Sequence, residues 1–199
     1  MKNLQTSLLL ALGVALALPA IAETTTPAPA SGLLGKRYAE ASAVLIDYQN
    51  AEDNGYGVGT AVNVPLTTHL DAGASFQHTW IEGDEAENFQ DLSAYLTAYT
   101  ACGDFRPFAK ASLGYEWWHV SNDPFYQLDA GSEYLVTNRF SVSAQISWSE
   151  FLASDWNGGS FATSARANYW VTSAIATSAT VTYSEGGTWA YGLAAVFKF

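Results

Sequence analysis

The chain has 199 residues, a formal net charge of −11, and only 14% charged residues. An acidic chain repels phosphate backbones, so nucleic acid is not an expected partner, and a single cysteine, Cys102, excludes an internal disulfide. The length suits one domain, and sparse charge implies either an unusually apolar core or a surface that faces lipid.

The N-terminus reads as an export signal. Lys2 supplies a positive start, Leu8 to Leu18 is an apolar run broken by Gly13, and Pro19 precedes the A-x-A pattern Ala20-Ile21-Ala22. The run is too short to span a membrane as a helix, so residues 1–22 are expected to be a cleaved signal peptide. No cysteine sits at the cleavage point, where Glu23 would be the first mature residue, so no lipid anchor is expected. Residues 23–35 are rich in Thr, Pro and Ala and read as a flexible linker.

From 36 to 199 the apolar residues alternate with small or polar ones, the period of strands. The pattern predicts ten strands near 36–48, 55–65, 70–81, 89–101, 105–119, 125–136, 140–151, 161–171, 174–184 and 188–199. Leu70, Phe105, Phe140 and Ile175 open alternate strands and follow one another at intervals of 35 residues. This internal period is that of one hairpin. Three of the turns before these residues share a form: Leu66-Thr67-Thr68-His69, Val136-Thr137-Asn138-Arg139 and Val171-Thr172-Ser173-Ala174. The fourth is Cys102-Gly103-Asp104, where Cys102 reads as a small turn residue. The other connections are longer, acidic or glycine-rich, such as Glu82-Gly-Asp-Glu-Ala-Glu-Asn88 and Ser121-Asn-Asp-Pro124. Short turns at one end and longer polar loops at the other match an up-and-down antiparallel transmembrane β-barrel.

Alternation assigns the faces. Ala109, Ala111, Leu113, Tyr115 and Trp117 would face lipid, as would Phe140, Val142, Ala144, Ile146 and Trp148. The charges Glu40, Asp91, Lys110, Glu116, Asp129, Glu133 and Arg166 fall on the inner face as a lumen polar network. Unpaired charge in hydrocarbon costs several kcal/mol, so this sorting is what a membrane barrel requires. Trp80, Tyr134, Trp148, Tyr169, Trp189 and Tyr191 stand near strand ends, where aromatic girdles belong. Two readings of the inner face stay open: a paired network that plugs the lumen, with Tyr95, Tyr99 and Trp118 narrowing it, or a cation-preferring path.

The last strand carries a more specific feature. Trp189, Tyr191, Leu193, Ala195, Phe197 and Phe199 line one face, and the chain stops on phenylalanine. This resembles the C-terminal signal of bacterial outer-membrane β-barrels, in which Tyr191, Leu193, Phe197 and Phe199 would be the barrel-insertion signal. Over 36–199 the pattern is similar to OmpA/OmpX-type and porin-family barrels. The resemblance implies a monomer in the outer membrane, in contact with lipid, lipopolysaccharide and the barrel-assembly machinery, with linker and turns in the periplasm. It implies no cofactor, no metal, no catalytic residue and a non-enzymatic role: envelope structure, surface interaction or a narrow cation-preferring pore, with a diffusion porin for small solutes as the alternative.

Two enzymatic resemblances remain. The run His119-Val-Ser121-Asn122 with Glu133 downstream resembles outer-membrane lipid A 3-O-deacylases. By that resemblance Ser121 would be nucleophile, His119 base and Glu133 the orienting acid. Asp91 and Asp123 near His119 are similar to the rim constellation of the omptin proteases, although this chain is short for that family. His69 in a turn and His78 near the outer end of its strand read as non-catalytic. The acidic loop Glu82, Asp84, Glu85 and Glu87 reads as a solvated tip, with divalent cations bridging lipopolysaccharide as its other use.

Overall fold

The computed structural model describes residues 31–48, 54–82, 87–118, 122–152 and 159–199. The expected signal peptide, residues 23–30, His119, Ser121, Asp84 and Glu85 lie outside the described residues. Among those described, ten strands form one closed antiparallel barrel. They are β1 (Tyr38–Tyr48), β2 (Asn54–Thr67), β3 (Leu70–Ile81), β4 (Glu87–Tyr99), β5 (Phe105–Trp118), β6 (Asn122–Leu135), β7 (Phe140–Phe151), β8 (Ser160–Trp170), β9 (Ile175–Ser184) and β10 (Thr188–Lys198). Each pairs with its sequence neighbours, and β1 closes on β10 from Tyr38↔Lys198 to Tyr48↔Thr188. Closure leaves no strand edge, the condition for placing backbone in hydrocarbon.

The repeat read from the sequence is structural. Leu70, Phe105, Phe140 and Ile175 each begin a strand. Thr137 and Thr172 hold their turns alike: Thr137 Oγ1 accepts from Phe140 N at 3.0 Å, and Thr172 Oγ1 from Ile175 N at 3.0 Å. Cys102 stands one repeat before Thr137. Its turn keeps the main-chain bond that the other two also make, Cys102 N donating to Phe105 O at 2.8 Å, with Gly103 at φ 65°. The Cys102 thiol is free and exposed.

Between the strand ends the outer wall is apolar. Leu113 is 67% exposed, Leu193 70% and Ile146 58%, values that in water would be a liability and that mark a lipid-facing belt. Exposed Trp80, Trp117, Tyr134, Tyr169 and Tyr191 stand toward its edges. The outward charges Asp47 and Glu150 sit at the loop end, where Glu150 accepts a 2.7 Å hydrogen bond from Tyr126 Oη. Among the described residues, the other strand-interior charges point into the barrel, so the wall meets the electrostatic condition that alternation implied.

The lumen is narrow because side chains fill it, as in other small barrels. Glycines make room for rings on neighbouring strands. A side chain at Gly73 would collide with the Tyr95 ring, and Tyr95 Oη reaches past it to donate to Val62 O at 3.1 Å.

Candidate functional site: the lumen and its turn-end mouth

The strand alternation that places Phe105 outward places Arg106 inward, and the 35-residue repeat propagates this. Lys36, Asp71, Arg106, Ser141 and Ala176 occupy one repeat position, and all five are buried: 5, 1, 4, 0 and 0% exposed. They form a ring at the turn end of the inner wall. The period is legible in the sequence; the ring was missed there, although one step inward from each repeat residue names it.

The ring does not face an open lumen. Ser31–Lys36, at the end of the segment read as a linker, folds into the mouth. Four polar side chains from four strands grip its main chain. Glu133 Oε1 on β6 accepts from Leu33 N at 2.7 Å, and Asp71 Oδ2 on β3 accepts from Gly35 N at 2.9 Å. Arg106 Nη1 on β5 donates to Leu34 O at 3.1 Å, and Asn63 Nδ2 on β2 donates to Lys36 O at 2.8 Å. Leu33 packs with Trp170, Ala176, Val196 and Tyr38. Gly32 has φ 72°, and a Cβ there would run into the Glu133 carboxylate and Leu135. Only glycine combines that backbone with that approach.

Lys36 closes the arrangement. Its ammonium lies 4.2 Å from the centre of the Trp170 ring and donates to Ser31 O at 3.4 Å. Burial lowers its pKa from 10.5 to about 8, against the opposing pull of Glu133.

The residues expected in the lumen network divide into clusters. Arg166 and Glu40 form a bidentate pair, with Nη2–Oε2 2.7 Å and Nη1–Oε1 3.3 Å, and Arg166 also donates to Asn168 and Ser178. Glu40 lies on β1 and Arg166 on β8, so this pair bridges part of the lumen. Lys110 Nζ lies 3.0 Å from Asp129 Oδ2, whose other oxygen accepts from Gln127 at 2.7 Å. Glu133 belongs to the mouth, 3.7 Å from Arg106. Asp91, Glu116 and Asp123 are register neighbours across β4, β5 and β6 and form an acidic patch toward the loop end. A polar cavity of about 330 Å³ runs through the middle, from Leu33 and Leu34 at the mouth to Asp91 and Phe125. The mouth segment is its floor.

Glu133 cannot play the orienting role that the deacylase resemblance gives it. It sits at the turn end of β6 beside Arg106, whereas Trp118 and Asn122, which flank the His119–Ser121 run, stand at the loop end. Asn122 and Glu133 stand eleven positions apart along the strand, roughly 35 Å. His78 is buried on the outer face, edge-on to Trp80 with centroids 4.2 Å apart. Tyr191, Leu193, Phe197 and Phe199 are all exposed.

Solved barrel structures are similar to this chain. The NanC porin is similar with a TM-score of 0.54 and 11% identity, the alignment covering 81% of this chain and 100% of that one. The N-terminal β-barrel domain of Pseudomonas aeruginosa OprF shares 16% identity over 83% of this chain and 99% of the domain, with a TM-score of 0.39. The KdgM porin shares 10% over 82% and 99%, with a TM-score of 0.44. No family model and no curated protein matches the sequence.

Proposed function

We propose, for a chain that is a bacterial outer-membrane β-barrel in fold and location, a non-enzymatic role in envelope structure or surface contact, with a lumen closed at rest. The observation that carries this reading is the occupied turn-end mouth. Ser31–Lys36 occupies the turn-end mouth, and the Glu40–Arg166 pair bridges the wall above it. Paired charges of this kind hold a barrel in one shape and raise the barrier to free diffusion. The exposed C-terminal face of Tyr191, Leu193, Phe197 and Phe199 suits recognition by the barrel-assembly machinery, and the outer belt suits contact with lipid and lipopolysaccharide. Monomeric barrels need no further partner to bury such a belt.

A second reading is supported by the cavity: a narrow, cation-preferring path or a diffusion porin for small solutes. Acids outnumber bases along it, and among the described residues the Asp91–Glu116–Asp123 patch has no basic register neighbour. Single-channel recording of the refolded barrel in a planar bilayer separates the two. Silence from folded protein supports the closed barrel. Steady cation-selective steps, reduced by Asp91→Asn and Glu116→Gln, support the porin.

A further inference from the structure

We infer that Ser31–Gly35 is a releasable stopper: a tethered peptide bound in the periplasmic mouth by side chains that read its main chain, whose withdrawal opens the lumen to small monovalent cations. This rests on the reading that the lumen is closed at rest.

Three observations converge. First, the site is built. Asn63, Asp71, Arg106 and Glu133 are 3, 1, 4 and 3% exposed and come from four strands. They direct their polar atoms at two N–H groups and one carbonyl of the stopper and at the Lys36 carbonyl that follows it. Main-chain recognition by a preformed pocket is how extended peptides are held elsewhere. The sequence of the occupant is constrained at Gly32 for its backbone and its approach to Glu133, at Gly35 for its left-handed backbone of φ 76°, and at Leu33 for the apolar pocket of Trp170, Ala176 and Val196.

Second, the stopper is the floor of the cavity. The same continuous space touches Leu33 and Leu34 below and Asp91 and Phe125 above. Removing the floor joins that space to the periplasm through a mouth lined by Asp71, Glu133 and Asn63.

Third, the grip is of a kind that water can replace. Among the described residues it consists of hydrogen bonds around a short apolar contact, and the chain to β1 ties the segment to the wall. Lys36, Arg106 and Lys198 bring like charges together at the rim, opposed by Asp71 and Glu133. A change in the segment that removes these contacts shifts the population toward release.

The test uses the full chain with changes confined to the stopper. Gly32→Val sets a β-branched side chain on a left-handed backbone against Glu133. Leu33→Asp places a carboxylate in the apolar pocket. Each is paired with Leu34→Cys in a Cys102→Ser background, and a membrane-impermeant maleimide reports release. Folding is checked by the heat-dependent gel mobility of the barrel. With the stopper intact, the expected result is silence and slow labelling of the introduced thiol. Both variants should conduct monovalent cations in discrete steps and label about tenfold faster or more. The synthetic peptide acetyl-Ser-Gly-Leu-Leu-Gly-amide, added on the turn side, should close them again. Folded variants whose introduced thiol is exposed but which stay silent overturn the stopper and leave the closed-lumen reading intact. Variants whose introduced thiol stays protected overturn its releasability. If the intact barrel conducts and the variants conduct more, the closed-lumen reading falls and the stopper stands. If intact and variant barrels conduct equally, both fall.

Discussion

Leu33 N donates a 2.7 Å hydrogen bond to Glu133 Oε1 across 100 residues of chain. It ties a segment outside the barrel to the buried end of β6 and shapes the mouth. A buried carboxylate is tolerated when a donor and a counter-charge meet it, and Glu133 has the Leu33 amide as donor and the Arg106 guanidinium 3.7 Å away. Glu133→Ala should therefore loosen the mouth and leave Arg106 without its acid. We expect a loss of about 2–4 kcal/mol in denaturant unfolding of the folded barrel. A change below ~0.5 kcal/mol would mean that the segment and the acid are not coupled.

Glu40 and Arg166 provide a test of pairing against burial. Removing one partner strands the other in the lumen. The Glu40 and Arg166 side chains keep 12% and 24% of their exposure, so water softens the penalty to about 2–3 kcal/mol for Arg166→Met. The double change Glu40→Leu with Arg166→Met should recover most of that loss. A double variant as unstable as the sum of the single ones would show that the pair is not an energetic unit.

The pH dependence of stability has a definite sign at Lys36. Folded Lys36 releases its proton near pH 8, while in the unfolded chain it keeps the proton until about 10.5. Between those values the unfolded chain binds more protons, so the Lys36 contribution to stability rises with pH. The full span is worth at most about 3 kcal/mol, and water at the mouth reduces it to about 1–2. Lys36→Met should flatten the profile from about pH 8 to 10 relative to the parent. Parallel profiles would place the ammonium in water.

The lipid-facing assignment is tested at mid-belt. Leu113→Arg puts a guanidinium at the most apolar depth of β5 and should cost about 2–4 kcal/mol in refolding into liposomes, whereas Phe105→Arg at the turn end should cost about 0–1. Equal costs at both depths would contradict a membrane-spanning β5.

Cys102 reports orientation. Its thiol is exposed in the turn between β4 and β5. If the short turns face the periplasm, an impermeant maleimide should leave Cys102 unlabelled on intact cells and label it after the outer membrane is opened. Labelling on intact cells would reverse the barrel.

The strand pattern was legible in the sequence because a barrel wall has two solvents. Lipid outside and a polar lumen inside force every second residue into one class, so alternation and the Leu70, Phe105, Phe140, Ile175 period alone located the strands and sorted their charges. The terminal aromatic strand was legible for the same reason. The mouth was not. Which inward acid meets which base depends on the stagger between strands and on contacts between strands that are not sequence neighbours, as for Glu40 and Arg166. The deacylase resemblance made Glu133 a partner for His119 while alternation turned it inward, and the register places it at the far end of β6. The segment from Ser31 to Gly35 was read as the end of a linker, and its burial with Lys36 follows from four side chains that lie 27 or more positions away in the chain. Local periodicity follows from a residue's own two faces and is written in the chain. A pocket that binds main chain is assembled from residues that become neighbours only when the barrel closes, so the tertiary structure alone decided it.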